Sequence, residues 1–305
     1  MADDATENAL VGISVRADDP ELGDLAANID AAERLGVDSI ELPTLAMDLV
    51  AGGQVMRDRL DRAKRIVGKR RVRLSAHGPI AINLMGPPHL LKLHETVLHA
   101  SLIVAAELGA TRYVLHTGIS PLTEAADLAA AYEVQRACLA RAGDAAKALG
   151  LLLVVENVFT YERKRRTALP SELARELAAV AHSNVRACFD VSHGMINASV
   201  WGADFLTEAE VLAPLSNHLH VHDSFGWPTE ITTYSRAERI AFGQGDLHLP
   251  IGWGNMPWQD LFRRCRFPRG CVLNIELEQR HWAHAAHCVA AARELAAQVH
   301  FVDAA

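Results

Sequence analysis

The amino-acid sequence predicts an α/β chain that closes eight parallel strand-helix units into one (β/α)8 barrel, and three observations predict it. The first is a repeated phrase in which a helix ends in Leu-Gly and a short strand follows: Leu35-Gly36 before Ser39-Ile40-Glu41, Leu108-Gly109 before Tyr113-Val114-Leu115-His116, and Leu149-Gly150 before Val154-Val155-Glu156. Glycine just past a helix end takes the left-handed conformation that closes it, so the chain turns directly into the next strand. The second is that the strand candidates are short and mostly apolar, as strands buried on both faces must be. The third is the spacing of the polar residues that stop these runs. Glu41, His77, His116, Glu156, Asp190 and His220 lie 36, 39, 40, 34 and 30 residues apart, about one strand-helix unit each.

Taken in order, the strands are read at Val11 to Val15, Ser39 to Leu42, Arg73 to Ala76, Tyr113 to Leu115, Leu151 to Val155, Ala187 to Phe189, His218 to Val221 and Val272 to Ile275. The first helix shows in the three-and-four spacing of Leu22, Leu25, Ile29 and Ala32, and the last runs from about Trp282 to Val299. The interval from His220 to Glu276 is 56 residues, long enough for an extra loop, and that loop carries Asp246-Leu247-His248. No Pro/Gly/Ser-rich linker interrupts the units. The chain therefore divides into an N-terminal tail (1–10), a single barrel (11–299) and a C-terminal tail (300–305).

Composition narrows the function. The 305 residues exceed the roughly 250 that a barrel of eight units needs, leaving room for long loops. No uninterrupted apolar stretch reaches the roughly 18 residues of a membrane span. The acidic N-terminus lacks the basic flank and apolar core of a signal peptide, so a cytoplasmic location is the default expectation. The five cysteines are odd in number, widely separated and without a C-x-x-C pair, so neither a disulfide framework nor a cysteine zinc site is indicated. A net charge of −7 with scattered basic residues argues against a general nucleic-acid binder.

The strand ends carry the chemistry. A parallel barrel delivers the C-terminal ends of all its strands to one face, so donors far apart in sequence converge there. Glu156 follows Val154 and Leu152 on one side of its strand and points into the barrel, where a carboxylate needs a cation or strong donors to stay charged. Asp190 repeats the argument, with His193 three residues on. His77 and His116 also end apolar runs and Glu276 closes the series; taken singly, either histidine reads as a hydrogen-bonded structural residue before a ligand, so the case rests on the ensemble. No Arg or Lys stands at neighbouring strand ends to make these carboxylates simple ion pairs. Mixed imidazole and carboxylate donors suit zinc, manganese or iron(II). His218, His220 and His222 share one strand face, so spacing alone does not choose the ligand among them.

Other features have competing readings. His281, His284 and His287 recur every three residues and read as a solvated helix face rather than a metal stripe. The basic run Arg163 to Arg166 is either a grip for a phosphate or carboxylate or a solvated loop. Trp227, Trp253 and Trp258 either wall a sugar pocket or pack.

Together Ser75-Ala76-His77-Gly78-Pro79, Val114-Leu115-His116-Thr117-Gly118, Val155-Glu156-Asn157, Phe189-Asp190-Val191-Ser192-His193, His220-Val221-His222-Asp223-Ser224, Gly245-Asp246-Leu247-His248-Leu249-Pro250-Ile251-Gly252-Trp253-Gly254 and Ile275-Glu276 resemble the xylose isomerase-like TIM-barrel superfamily (AP endonuclease family 2). The resemblance runs from about Val11 to Val299. It embraces sugar isomerases and epimerases, inosose dehydratases and endonuclease IV. From the isomerases and epimerases it implies one metal on Glu156, Asp190, His220 and Glu276, with Glu156 and Glu276 also acting as the acid/base pair. From endonuclease IV it implies three zinc ions: His77, His116 and Glu156 for one; Glu156, Asp190, His220 and Glu276 for the second; His193, Asp246 and His248 for the third.

Each carry-over has a departure. An arginine common in the epimerases six residues beyond the strand-seven histidine is Gly226 here, and the endonuclease's aromatic-and-leucine wedge is replaced by Ile80-Ala81. The first expectation is thus a divalent-metal-dependent isomerase or epimerase of a sugar, sugar acid or cyclitol, and the alternative is a multinuclear hydrolase of a phosphoester or lactone. A barrel that only binds a sugar is the non-enzymatic reading. The expected cofactor is one to three divalent ions per chain, zinc or manganese ahead of iron, cobalt or magnesium. Glu41, His222, Arg163, Arg166 and Trp253 are the candidates for substrate contact. The expected partner is a small carbohydrate-like molecule, without nucleic acid or membrane, and a homo-oligomer is left open.

Overall fold

A computed structural model describes residues 8–121, 124–161, 163–228 and 231–302. Residues 1–7 of the expected N-terminal tail and the last three residues lie outside them. Eight parallel strands form a closed barrel. They are β1 (Leu10–Ser14), β2 (Ser39–Leu42), β3 (Arg73–His77), β4 (Arg112–His116), β5 (Leu152–Glu156), β6 (Val185–Asp190), β7 (Ser216–Val221) and β8 (Val272–Ile275). Each strand pairs with its neighbours in chain order, and β8 closes on β1 through Leu10 opposite Val272 and Ile13 opposite Ile275. The expected strands are all present. Several extend one residue further than their apolar runs, because His77, His116, Glu156 and Asp190 are themselves the last paired or terminal residues of β3, β4, β5 and β6.

The helices that cover the barrel are α1 (Leu25–Arg34), α2 (Arg57–Val67), α3 (Pro88–Glu107), α4 (Ala125–Ala148), α5 (Pro170–Val180), α6 (Val191–Trp201), α7 (Phe205–Leu212), α8 (Arg236–Ala241), α9 (Trp258–Arg264) and α10 (Ala285–Ala296). The Leu-Gly joints behave as the sequence predicts: Gly36, Gly109 and Gly150 take φ of +73°, +84° and +75° after α1, α3 and α4. The last helix starts later than expected. Gln279–His284 forms a tighter 3-10 turn first, so His281 and His284 do not share one α-helical face with His287. The expected C-terminal tail also begins with structure, since His300–Phe301 pairs in parallel with Arg266–Phe267.

Alternation along the strands sorts side chains into two regions. Leu153 and Val155 of β5, like Ala187 and Phe189 of β6, face the helices and join the main core. Val154, Val114 and Cys188 form a separate small cluster inside the barrel, with Leu152 packed against it. Glu156 continues the inward series of Leu152 and Val154 and so emerges at the strand end above this apolar plug. All five cysteines are buried and free. Among the described residues, no helix is long and apolar enough to cross a membrane.

Candidate metal centre

Glu156 is the hub of the strand-end face. Its carboxylate is 1% exposed, and its two oxygens look in different directions. Oε2 lies 3.3 Å from His77 Nε2 and 3.3 Å from His116 Nε2, at the ends of β3 and β4. Oε1 lies 3.0 Å from His193 Nδ1 and 3.4 Å from His220 Nδ1. His220 Nδ1 is also 3.3 Å from Glu276 Oε2 and 3.8 Å from Asp190 Oδ2. Asp190 caps α6 by accepting the His193 N–H at 2.7 Å through Oδ1, and its Oδ2 faces His222 Nε2 at 3.3 Å.

The extra loop before β8 completes the ring. Asp246 Oδ2 is 2.6 Å from His248 Nε2 and 3.4 Å from His193 Nε2. The His248 ring stacks on His222, with centroids 4.1 Å apart and planes 8° apart. Arg236, at the start of α8, donates to the Asp246 and Leu247 carbonyls and pairs with Glu278, fixing the loop from outside.

Backbone carbonyls set the tautomers of three of these histidines. A carbonyl only accepts, so His77 Nδ1 donates to Gly78 (2.9 Å), His193 Nδ1 to Asn157 (3.1 Å) and His248 Nδ1 to Glu276 (3.1 Å). Each ring is left with Nε2 facing a carboxylate of the cluster. This is the outer-shell arrangement that orients metal-ligating imidazoles.

Electrostatics tell the same story. Burial raises the Glu156 and Asp246 pKa values, yet both are held well below the usual carboxylate range, Glu156 by His116 and His220 and Asp246 by His248 and His193. Burial lowers the His77 pKa, but the Glu156 carboxylate outweighs it and holds it at about 9. Asp246 does the same for His248, also at about 9. Protonated histidines thus balance a group of buried carboxylates, a balance that a divalent cation would supply directly.

The residues fit such a cation. Donor atoms within 4.8 Å of one another occur in the groups His77, His116 and Glu156; Glu156, Asp190 and His220; His77, His220 and Glu276; and His222, His248 and Glu276. Glu156 Oε2, His220 Nδ1 and His222 Nδ1 are buried without a hydrogen-bond partner among the described residues. Cys188 also approaches His218 and His220, but burial pushes its thiol well above the ordinary value, so it is a neutral neighbour.

All nine expected ligand residues therefore meet on one face. His222, expected at the substrate, instead lies wholly buried between Asp190 and His248 and offers itself as a further donor. A cavity of about 480 Å³ opens beside the cluster, lined by His77, His248, Glu276, Arg16, Arg236 and Glu278 among others. Glu41 borders it, but both of its oxygens are engaged by barrel side chains.

The expected outer contacts lie elsewhere. Arg166 pairs with Glu172 (2.6 Å) and stacks over Trp201 (4.2 Å), while Arg163 donates to the Val200 carbonyl (2.9 Å). Neither lines the cavity, because both are used to tie the loop after β5 to α5 and α6. Trp253, 47% exposed, rests against His281 and His284 outside the cavity, and Trp258 donates to Asp223. The sequence reading missed Arg236. The signal for it was Ser235, whose side chain accepts from the Glu238 N–H and starts a helix inside the long loop that holds Asp246.

The family model of the xylose isomerase-like TIM barrel matches residues 29–299. The chain belongs to this family. Among solved structures, a D-tagatose 3-epimerase-like protein is 17% identical, with a TM-score of 0.67 over 94% of this chain and 96% of that one. The TTHB071 protein from Thermus thermophilus, soaked with ZnCl2, is 20% identical, with a TM-score of 0.60 over 94% and 98%. The IOLI protein with a binding zinc atom is 13% identical, with a TM-score of 0.65 over 94% and 96%. At these identities the likeness is one of fold. No sequence among the curated proteins matches the chain.

Proposed function

We propose that this xylose isomerase-like barrel is a divalent-metal-dependent isomerase or epimerase that acts on a sugar, sugar acid or cyclitol. One observation carries the reading. Glu276 belongs to the Glu156, Asp190, His220 and Glu276 set and is also the carboxylate of that set that faces the cavity, with its side chain 15% exposed. The cavity falls within the roughly 300–1,000 Å³ range of small-molecule sites. The likeness to a D-tagatose 3-epimerase-like protein and to IOLI with its zinc atom supports the reading.

Glu156, Asp190, His220 and Glu276 would hold the ion. When bound it supplies positive charge beside a substrate carbonyl or alkoxide, easing loss of the proton on the adjacent carbon. Glu276, at the cavity wall, is placed to take that proton. Glu156, 1% exposed with Oε1 3.4 Å from His220 Nδ1, is the partner in the acid/base pair that the resemblance implies. His248 and His77 border the same cavity, with both ring nitrogens of each already engaged by a backbone carbonyl and a carboxylate. Arg236 and Glu278 close the rim.

The geometry of Glu156 favours a second reading. Its oxygens face separate donor pairs, so Glu156 could serve two neighbouring donor groups at once, and His193, Asp246 and His248 extend the set. That supports a multinuclear hydrolase of a phosphoester or lactone, in which these residues would hold more than one ion and the ions would supply an activated water. The test is incubation of zinc-, manganese- and iron(II)-loaded protein with a panel of ketoses, sugar acids and cyclitols in D2O. Deuterium entering beside the carbonyl, and its loss in Glu276→Gln, supports isomerisation. Absence of exchange, together with two or three ions per chain and hydrolysis abolished by His248→Ala, refutes it in favour of the second reading.

A further inference from the structure

One layer deeper in the barrel than the donor cluster lies a carboxylate that the proposed chemistry does not use. Glu41, on β2, is 1% exposed. Ser14 Oγ (3.2 Å), Asn274 Nδ2 (3.4 Å) and His220 Nε2 (3.2 Å) surround its Oε1. Ser75 Oγ (3.1 Å) and His218 Nε2 (3.1 Å) surround its Oε2. Every one of these neighbours is a hydroxyl, an amide N–H or an imidazole, so the environment is built for an ionised acceptor.

His220 consequently stands between two carboxylate surroundings. Of the carboxylates, its Nε2 faces only Glu41, with the neutral Cys188 thiol nearby, whereas its Nδ1 faces Glu276, Glu156 and Asp190 at 3.3, 3.4 and 3.8 Å. A neutral imidazole has one N–H and one lone pair. A lone pair aimed at an ionised carboxylate is repelled unless a cation sits between them, and three converging carboxylates make a cation site where one does not. The proton therefore belongs on the Glu41 side.

We infer that Glu41 is a positioning residue: it keeps the His220 proton on Nε2 and so presents the Nδ1 lone pair to an ion shared with Glu156, Asp190 and Glu276. The inference rests on the metal-centre reading above and assigns the orientation of one ligand within it. The strand register agrees. His220 is level with Asp190 on β6 and with Asn274 on β8, and Asn274 donates both to Ser14 and to Glu41. The carboxylate that holds His220 is thus itself held by side chains from β1, β3, β7 and β8. His218, two residues earlier on the same strand face, brings Nε2 to 3.1 Å from the other oxygen, which also accepts from Ser75 Oγ.

The test reads protonation and affinity rather than turnover. In zinc-loaded protein carrying 15N-histidine, long-range proton-nitrogen correlation spectra should show His220 protonated at Nε2 and metal-bound at Nδ1. Glu41→Gln fills the same space without the charge. Its zinc Kd, measured by competition with a chromophoric chelator, should rise about 10- to 100-fold, the usual cost of losing an outer-shell partner. A purely structural role would lower the melting temperature of the metal-free variant and leave the zinc Kd and the His220 protonation pattern unmoved.

Zinc on Nε2 of the wild-type protein, or equal zinc affinity in Glu41→Gln, overturns the inference while leaving the metal centre intact. Wild-type protein that takes up no zinc, manganese or iron(II) by elemental analysis overturns the metal centre and the role of Glu41 together. Should Glu41→Gln fail to fold, the wild-type spectrum decides alone.

Discussion

Metal binding to this protein should be a proton-releasing event with a steep pH dependence. His77 and His248 each have their pKa raised from 6.5 to about 9 by a neighbouring carboxylate, the buried Glu156 for the first and the partly buried Asp246 for the second. Below pH 9 both rings carry a proton that an incoming ion must displace. For an ion that takes one such histidine, affinity should increase about tenfold per pH unit up to about pH 9 and level off above it. His193 and His220, also raised, steepen the slope further. The metal-free protein should show the opposite trend. A raised histidine pKa contributes stability that is fully present below the unfolded value of 6.5 and is lost as pH climbs through the folded value of about 9. Each shift corresponds to about 3 kcal/mol at about 1.4 kcal/mol per unit, an order-of-magnitude figure for groups this tightly coupled. Zinc titration calorimetry in buffers of different ionisation enthalpy gives the number of protons released, and melting curves of apo-protein from pH 6 to 9.5 give the stability slope. Release of no protons at pH 7, or an apo-protein that gains stability between pH 6.5 and 9, would refute the assignment of charged histidines to this cluster.

Three further perturbations separate ligand, scaffold and loop. Asp190→Asn keeps an acceptor for the His193 N–H, so α6 stays capped and the urea midpoint should stay near wild type. The charge facing His220 and His222 is lost, however, and bound metal per chain should drop in elemental analysis. Arg166→Ala removes the Glu172 pair and the stack on Trp201, costing about 1.5–3 kcal/mol in urea unfolding, while KM for any substrate found should be unchanged. Gly109→Ala forces a side chain into a φ of +84°, and a loss of about 1–2 kcal/mol in the same assay is expected even though open space surrounds the added methyl.

How much of this was legible in the sequence follows from the range of each signal. The Leu-Gly joints are local: helix end, glycine and strand start sit within a few residues, so Gly36, Gly109 and Gly150 announced three αβ junctions without any tertiary information. The convergence of His77, His116, Glu156, Asp190 and His220 was legible because barrel closure is a global rule that needs only strand order, which the even spacing supplied. Depth was not. His218, His220 and His222 alternate onto one face, and spacing alone leaves them equivalent, but the β6 and β7 pairing places His220 beside Asp190 and His218 beside Cys188. That register, with its shift between Ala187 and Cys188, sends His218 down to Glu41, leaves His220 at the level of the donors and puts His222 above them against His248. Loop side chains were the least legible, because a strand end is fixed by the sheet while a loop is fixed only by what it touches. Arg166 found Glu172 and Trp201, whereas Arg236, which nothing in the spacing singled out, reached the carbonyls of Asp246 and Leu247. The consequence is specific: the strand ends bring His77, His116, Glu156, Asp190 and His220 together, and the loop between β7 and β8 adds Asp246 and His248, tied from outside by Arg236.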